Sequence, residues 1–372
     1  MNKSFCGVLR EKFQFYEEFW KGEGSCPILF ARPHLAKGKA YLKYNLVEQH
    51  FSAEKHLEER LLEVLPHLDM IDDGIPTIRA DLGTTLLPSG LGLKIKVQED
   101  LHPWLTEHLP PEQYLSLHEP VKIEEILHNE VILAQQIYQL FFDWKEHGKI
   151  HEAVIPYVPE TEGVFDLSHL VIGTSLFLLM IDQPQLVHRI QQKSLQVYLA
   201  GTSFFKDFLG QPSSSMVHGH GMPVGVWFSD TGARISEDSC VLISSSMLRE
   251  FCLPYIREAA RPFGRLFMHY CGYHPDFLRM VCEMPEISTI NLGNPEMYDL
   301  EEVFAICGKT DTVYFGHFPM FDGEDSWSFL ERIADSCRRH GARVILVCDF
   351  QPESPEEKMR LVRLWHHLTS DK

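Results

Sequence analysis

Three side chains in this sequence have the types and spacing to hold a soft metal ion: His269, Cys271 and Cys348. Residues i and i+2 of a strand lie on one side, so His269 and Cys271, closing the apolar run Leu266-Phe267-Met268, can aim at a common atom. An imidazole and a thiolate make a good zinc pair, and three protein ligands leave a fourth position open, as in catalytic rather than structural sites. Gly272 lets the chain turn away directly after the first two donors. Cys348 closes a second apolar run, Val344-Ile345-Leu346-Val347.

Other candidates surround these donors, each with a plainer reading beside the functional one. Asp230 and His317 follow apolar runs and are read as catalytic groups facing ligand or substrate; a capping carboxylate and a pocket-lining ring are the alternatives. Asn291 is a candidate to hydrogen-bond substrate. His218 and His220, in a His-Gly-His-Gly loop, suit a mobile cover over the site better than a metal site. His274 reads as a helix-start residue, and Tyr270 should pack on the side away from the donors. Asp72, Asp73 and Asp81 either border the pocket or are solvated loop carboxylates. Cys240, Cys252, Cys282 and Cys337 read as small buried apolar residues.

The donors need a scaffold that brings distant strand ends together. Apolar periodicity predicts helices over 4–20, 52–65, 121–144 and 184–208, and strands over 153–158 and 223–228. From there helices and strands alternate: helices over 246–261, 276–284, 300–307, 326–340 and 355–368, and strands over 265–268, 287–291, 312–315 and 342–347. Such alternation means a parallel sheet with right-handed crossovers. A Gly-rich phosphate turn is missing, so a (β/α)8 TIM barrel is expected, with the polar residues at the C-terminal strand ends where such barrels do chemistry. The expected organisation is a helical extension over 1–70 packed on a barrel over 71–372, with 71–83 irregular beside the pocket.

Composition agrees. A chain of 372 residues, 44% hydrophobic, suits one such barrel. The net charge of −18 argues against nucleic acid as a partner. No apolar stretch long enough for a membrane span or a secretory leader is seen, and nine irregularly spaced cysteines fit a reducing cytoplasm.

His-x-Cys-Gly at 269–272 with the late Cys348 resembles the uroporphyrinogen decarboxylase superfamily. More narrowly, it is similar to the zinc-dependent, corrinoid-linked branch that contains the methylcobamide:coenzyme M methyltransferases. Trp227-Phe228-Ser229-Asp230 and the Pro-rich stretch Phe350 to Glu357 are similar as well. The resemblance spans 71–368 and is strongest from Gly225 onward. It implies Zn2+ held by His269, Cys271 and Cys348, a corrinoid supplied by a partner protein, and a small thiol or methylated substrate. The decarboxylase branch opens with an arginine-rich stretch, for which this chain offers only Arg32 and, further on, Arg79. The methyltransferase reading therefore leads. A metal-free decarboxylase-like enzyme and a zinc-stabilised, non-catalytic partner of a corrinoid protein are the alternatives.

Overall fold

The computed structural model describes residues 5–31 and 43–370. The described residues contain twelve strands: β1 Ile28–Phe30, β2 Ile75–Ile78, β3 Ile95–Lys96, β4 Trp104–Leu105, β5 Ile155–Pro156, β6 Met216–His218, β7 Val224–Phe228, β8 Thr231–Ser236, β9 Arg265–Tyr270, β10 Ile287–Leu292, β11 Val313–Gly316 and β12 Val344–Cys348. Six of them make one parallel sheet in the order β1-β12-β11-β10-β9-β8. A second sheet runs β5-β2-β7-β6, with β7 antiparallel to both its neighbours. Among the described residues no backbone ladder joins the two sheets, so the expected closed barrel is met in part: an α/β protein with a parallel sheet and many helices.

The helices lie where an apolar face demands burial. The predicted helix at 184–208 is Pro184–Phe208, its proline in the first turn, where the missing N–H costs nothing. The helix Ala53–Val64 starts at Ser52, whose hydroxyl accepts the Lys55 N–H. The aromatic face of Phe5–Trp20 docks on the second sheet: the Trp20 indole donates to the Trp227 carbonyl at 2.6 Å and the Tyr16 hydroxyl to the Asp73 carbonyl at 2.7 Å. Between the sheets, rings from β7, β9 and β11 meet. Phe267 lies 5.7 Å from Phe228 and 5.3 Å from Phe315. They fix which strand faces point inward.

Two expectations fail here for identifiable reasons. Residues 28–30 belong to the main sheet, paired with β12, so the boundary at 70 cuts through one body. Three apolar residues are too short a run to signal a strand. Residues 75–78, read as irregular because of their turn formers, are a fully buried strand. Asp72 and Asp73 hold the edge of β1 rather than a pocket: their carboxylates accept the N–H groups of Phe30 at 3.2 Å and Ile28 at 2.8 Å. Among the described residues no single helix is long and apolar enough to cross a membrane, and the one pair that passes by composition, Val164–Ile172 with Ser175–Asp182, bends by 107°.

One buried carboxyl gives a pH-dependent prediction. Glu130 lies in the helix Asn129–Glu146, 1% exposed, with the His50 ring 3.5 Å away. Burial pushes its carboxyl up to about 7 and holds His50 below its ordinary value. The folded chain then keeps a proton that the unfolded chain releases near 4.5, so stability is lost as pH rises towards and through 7. Glu130→Gln should stabilise slightly at pH 5 and more at pH 8 in urea denaturation. An equal effect at both would show that the carboxyl does not titrate in this window.

Candidate metal centre

β8 and β9 run parallel with Ser236 opposite His269. Two residues further along each, on the same face, come Asp238 and Cys271. This register gathers three donors. Cys271 Sγ lies 3.5 Å from His269 Nε2, Asp238 Oδ1 lies 3.6 Å from the same nitrogen, and all three ligand atoms fall within 4.8 Å of one another. Tetrahedral zinc, with Zn–S about 2.3 Å and Zn–N about 2.0–2.1 Å, separates its sulfur and nitrogen donors by about 3.6 Å. The residues present fit such an ion.

Each donor is held by a neighbour. Asn291, expected to contact substrate, instead accepts at Oδ1 from His269 Nδ1 at 2.6 Å and donates its amide to the Phe315 carbonyl at 2.5 Å. The amide orientation and the ring tautomer are thereby set together, and Nε2 is left as the ligand atom. Asp238 Oδ1 also accepts the Cys271 N–H at 2.7 Å. Asp238 and Ser239 in turn donate their N–H groups to the Asp166 carboxylate, both at 2.6 Å. Asp166 lies in the helix Val164–Ile172, whose first N–H groups are accepted by Glu237.

Burial governs the protonation of the donors. Burial, with His220 and Arg234 nearby, keeps His269 far below its ordinary value and therefore neutral. Cys271 is exposed as a residue, yet its sulfur is partly buried, and that burial with the Asp238 carboxylate pushes the thiol up to about 12. A divalent ion among the three donors would reverse that shift and take the thiol as thiolate. Burial and the Asp238 carboxylate raise Asp166 to about 7. The space for the thiol comes from Gly293, where a Cβ would sit 2.5 Å from Cys271 Sγ and 3.1 Å from Cys271 Cα. Gly293→Ala should therefore weaken zinc binding by about 10–100-fold, as when a supporting residue of a metal site is lost, with the denaturation midpoint little changed. Chelator competition tests this, and unchanged affinity would show that the thiol can relocate without loss.

Cys348, expected as the third ligand, stands outside this group. Ile345 is in register with Phe315, whose ring faces the interior, so Val347 shares that inner face and Cys348 points to the other one. Fully buried, with Asp349 and Asp72 near, its thiol is pushed up. Asp230 is corrected too. It precedes β8 and pairs with Arg265, the first residue of β9, at 3.2 Å. That is the N-terminal end of the sheet, about 13 Å of strand below His269. The run 223–228 is not the strand that carries the site; β8 is, and Ser229-Asp230 leads into it. His317 sits at the right end of the sheet, 3.6 Å from Asp349, and its described contacts do not reach the donors.

The remaining candidates divide. His274 caps the helix Pro275–Cys282 through its ring, and Tyr270 packs on Phe277 away from the donors, as expected. Arg79 is engaged by Asp81 at 2.7 Å and Glu160 at 3.2 Å, and Arg234 by Glu160 as well. Arg79 and Arg60 hold Asp81 below its ordinary range against the opposing effect of burial, so Asp81 belongs to an ion network and is not a free carboxylate. Arg32 lies outside the described residues. A cavity of about 770 Å³ opens beside Cys26 and Arg343, which precede β1 and β12, at the end of the sheet away from the donors. Asp238 is the member of this donor group that the sequence does not reveal.

No family model matches the chain, and neither does any curated protein. Among solved structures 17 chains match. One is a methyltransferase from Methanosarcina mazei, 13% identical, with a TM-score of 0.63, covering 96% of this chain and 98% of that one. Similarity at that identity shows a shared fold. It extends over nearly the whole of both chains.

Proposed function

We propose that this chain is a zinc-dependent methyltransferase that moves a methyl group between a corrinoid carried by a separate protein and a small thiol. The observation that carries the reading is the Asp238–His269–Cys271 group at the C-terminal end of β8 and β9, whose three ligand atoms lie within 4.8 Å of one another, close enough to share one zinc ion. The fold shared with a methyltransferase agrees with it. Bound there, zinc would make a substrate thiol a thiolate nucleophile at neutral pH.

The protein's part is to hold and orient. Asn291 fixes the His269 ring, Asp238 ties itself to the Cys271 backbone, and Asp166 with Glu237 anchors the turn that carries Asp238. The side of the sheet on which the donors lie is rimmed by exposed apolar residues on successive loops: Leu242 after β8, Tyr273 after β9, Met297 after β10 and Phe321 after β11. Such a rim suits a macromolecule presenting its cofactor to the centre. The ion-paired state of Arg79 and Arg234 counts against a substrate with many carboxylates, and so against the decarboxylase alternative.

The test is a transfer assay with zinc-loaded protein, methylcobalamin as donor and 2-mercaptoethanol as acceptor, followed by methylcobalamin absorbance and thioether mass. Zinc-dependent transfer that is lost in Cys271→Ala is expected. Transfer unaffected by that substitution, or none by protein carrying a full zinc complement, would overturn the reading.

A further inference from the structure

The β6–β7 hairpin turns over His218-Gly219-His220-Gly221-Met222-Pro223 and brings His220 against the donor group, its ring 4.3 Å from that of His269. The tip is tightly determined. A Cβ on Gly219 would meet the Val224 and Met222 carbonyls at 2.7 and 2.8 Å, and the Gly221 N–H donates to the Tyr157 hydroxyl at 2.9 Å. Between these glycines His220 adopts φ +49°, in the left-handed region that is uncommon for residues other than glycine. Its Nδ1 is sealed from solvent without a protein partner. A strained backbone and an unsatisfied ring nitrogen are two separate costs at one residue, and both fall beside the candidate centre.

We propose that His220 is a substrate-binding residue, whose imidazole donates a hydrogen bond to the sulfur of a thiol seated beside Asp238, His269 and Cys271. The inference rests on reading that group as a thiol-binding metal centre. His220 is not itself one of the three converging donors, so its role is toward the substrate and not the ion. His220 is of intermediate exposure, and Nδ1 is the ring nitrogen sealed from solvent, so Nε2 is the atom that would meet an incoming molecule. A neutral imidazole carries one N–H, and such a donor stabilises a thiolate without repelling the cation. His218 differs: it is 3% exposed and wedged between Tyr157 at 5.0 Å and Phe267 at 5.4 Å, with no open edge.

The experiment uses the whole chain loaded with Co2+, titrated with 2-mercaptoethanol and read by the rise in sulfur-to-cobalt charge transfer above the level that Cys271 supplies before thiol is added. Wild type, His220→Ala and His220→Gln are compared, with cobalt content and circular dichroism confirming that each is folded and loaded. Thiol affinity should fall about 10–100-fold in His220→Ala, as expected for losing a hydrogen bond to a charged group, and recover in part in His220→Gln, whose amide can donate. Affinity in loaded His220→Ala within twofold of wild type would overturn the role of His220 and leave the thiol-binding reading intact. A fully loaded wild type whose charge-transfer band does not grow on adding thiol would overturn that reading, and this inference with it.

Discussion

Purified with zinc and then desalted, the wild-type chain should carry about one ion, His269→Ala and Cys271→Ala essentially none, and Cys348→Ala as much as wild type. Loss of a direct ligand should weaken binding by more than the 10–100-fold typical of a supporting residue, enough to strip the ion during desalting. Asp238→Asn keeps an oxygen donor but not its charge and should fall between. The informative comparison is between the two cysteines. Cys271 shares its face with His269 Nε2, whereas Cys348 occupies the strand position that turns the other way. Metal analysis by plasma mass spectrometry decides it. If folded Cys348→Ala loses its zinc, the end of β12 must turn over when the ion binds, and the ligand set is the one the family resemblance implies.

The second large effect is expected at a residue that touches no metal. Glu237 is fully buried, and its carboxylate accepts the N–H groups of Val164, Phe165 and Asp166 at 2.8–3.2 Å. These are the first donors of the helix Val164–Ile172, whose N-cap is Gly163 and has no side chain to offer. A larger residue at 163 is barred, because its Cβ would lie 2.2 Å from the Ser236 carbonyl. Glu237 thus caps a helix from another part of the chain, and Asp166 returns the favour to Asp238 and Ser239. Removing the carboxylate strands three buried N–H groups, each costing about 1–3 kcal/mol, so Glu237→Ala should lose about 3–5 kcal/mol in urea denaturation. Zinc affinity should fall with it, because the turn holding Asp238 loses its tether. A loss below about 1 kcal/mol would mean that water takes over the cap, and the reciprocal clamp would be irrelevant to stability.

The legible parts of this sequence were those with local periodicity. The alternation from 245 onward, the helix Pro184–Phe208 and the pairing of His269 with Cys271 all follow from spacing within a few residues. What decides the rest is not local. Cys348 lies on the face away from His269 because strand parity, set by its partner β11, chooses that face, and a one-residue difference in phase would reverse it. Asp230 lies at the opposite end of the sheet from the donors, although Ser-Asp-Thr-Gly after an apolar run looks like the end of a strand. In fact Gly232 lies inside β8, where a Cβ would sit 1.8 Å from the Ser213 carbonyl, so the glycine marks a close approach and not a turn. Asp238 gave no signal at all. It is one of many acids in the chain and becomes a donor only through the register of β8 on β9.

That register has a consequence for how the protein moves. All three donors hang from one seam between two neighbouring strands and the turns that follow them. Separating β8 from β9 parts Asp238 from His269 and Cys271, while opening β11 from β12 leaves them together. A bound ion therefore acts as a rivet in one seam, and its binding free energy opposes that local opening above all others. Amide hydrogen exchange should record it as a stripe of slowed protons along 231–236 and 265–270, with the far edge of the same sheet exchanging as before. Metal occupancy in this fold would then be visible as a map of local opening before any turnover is measured.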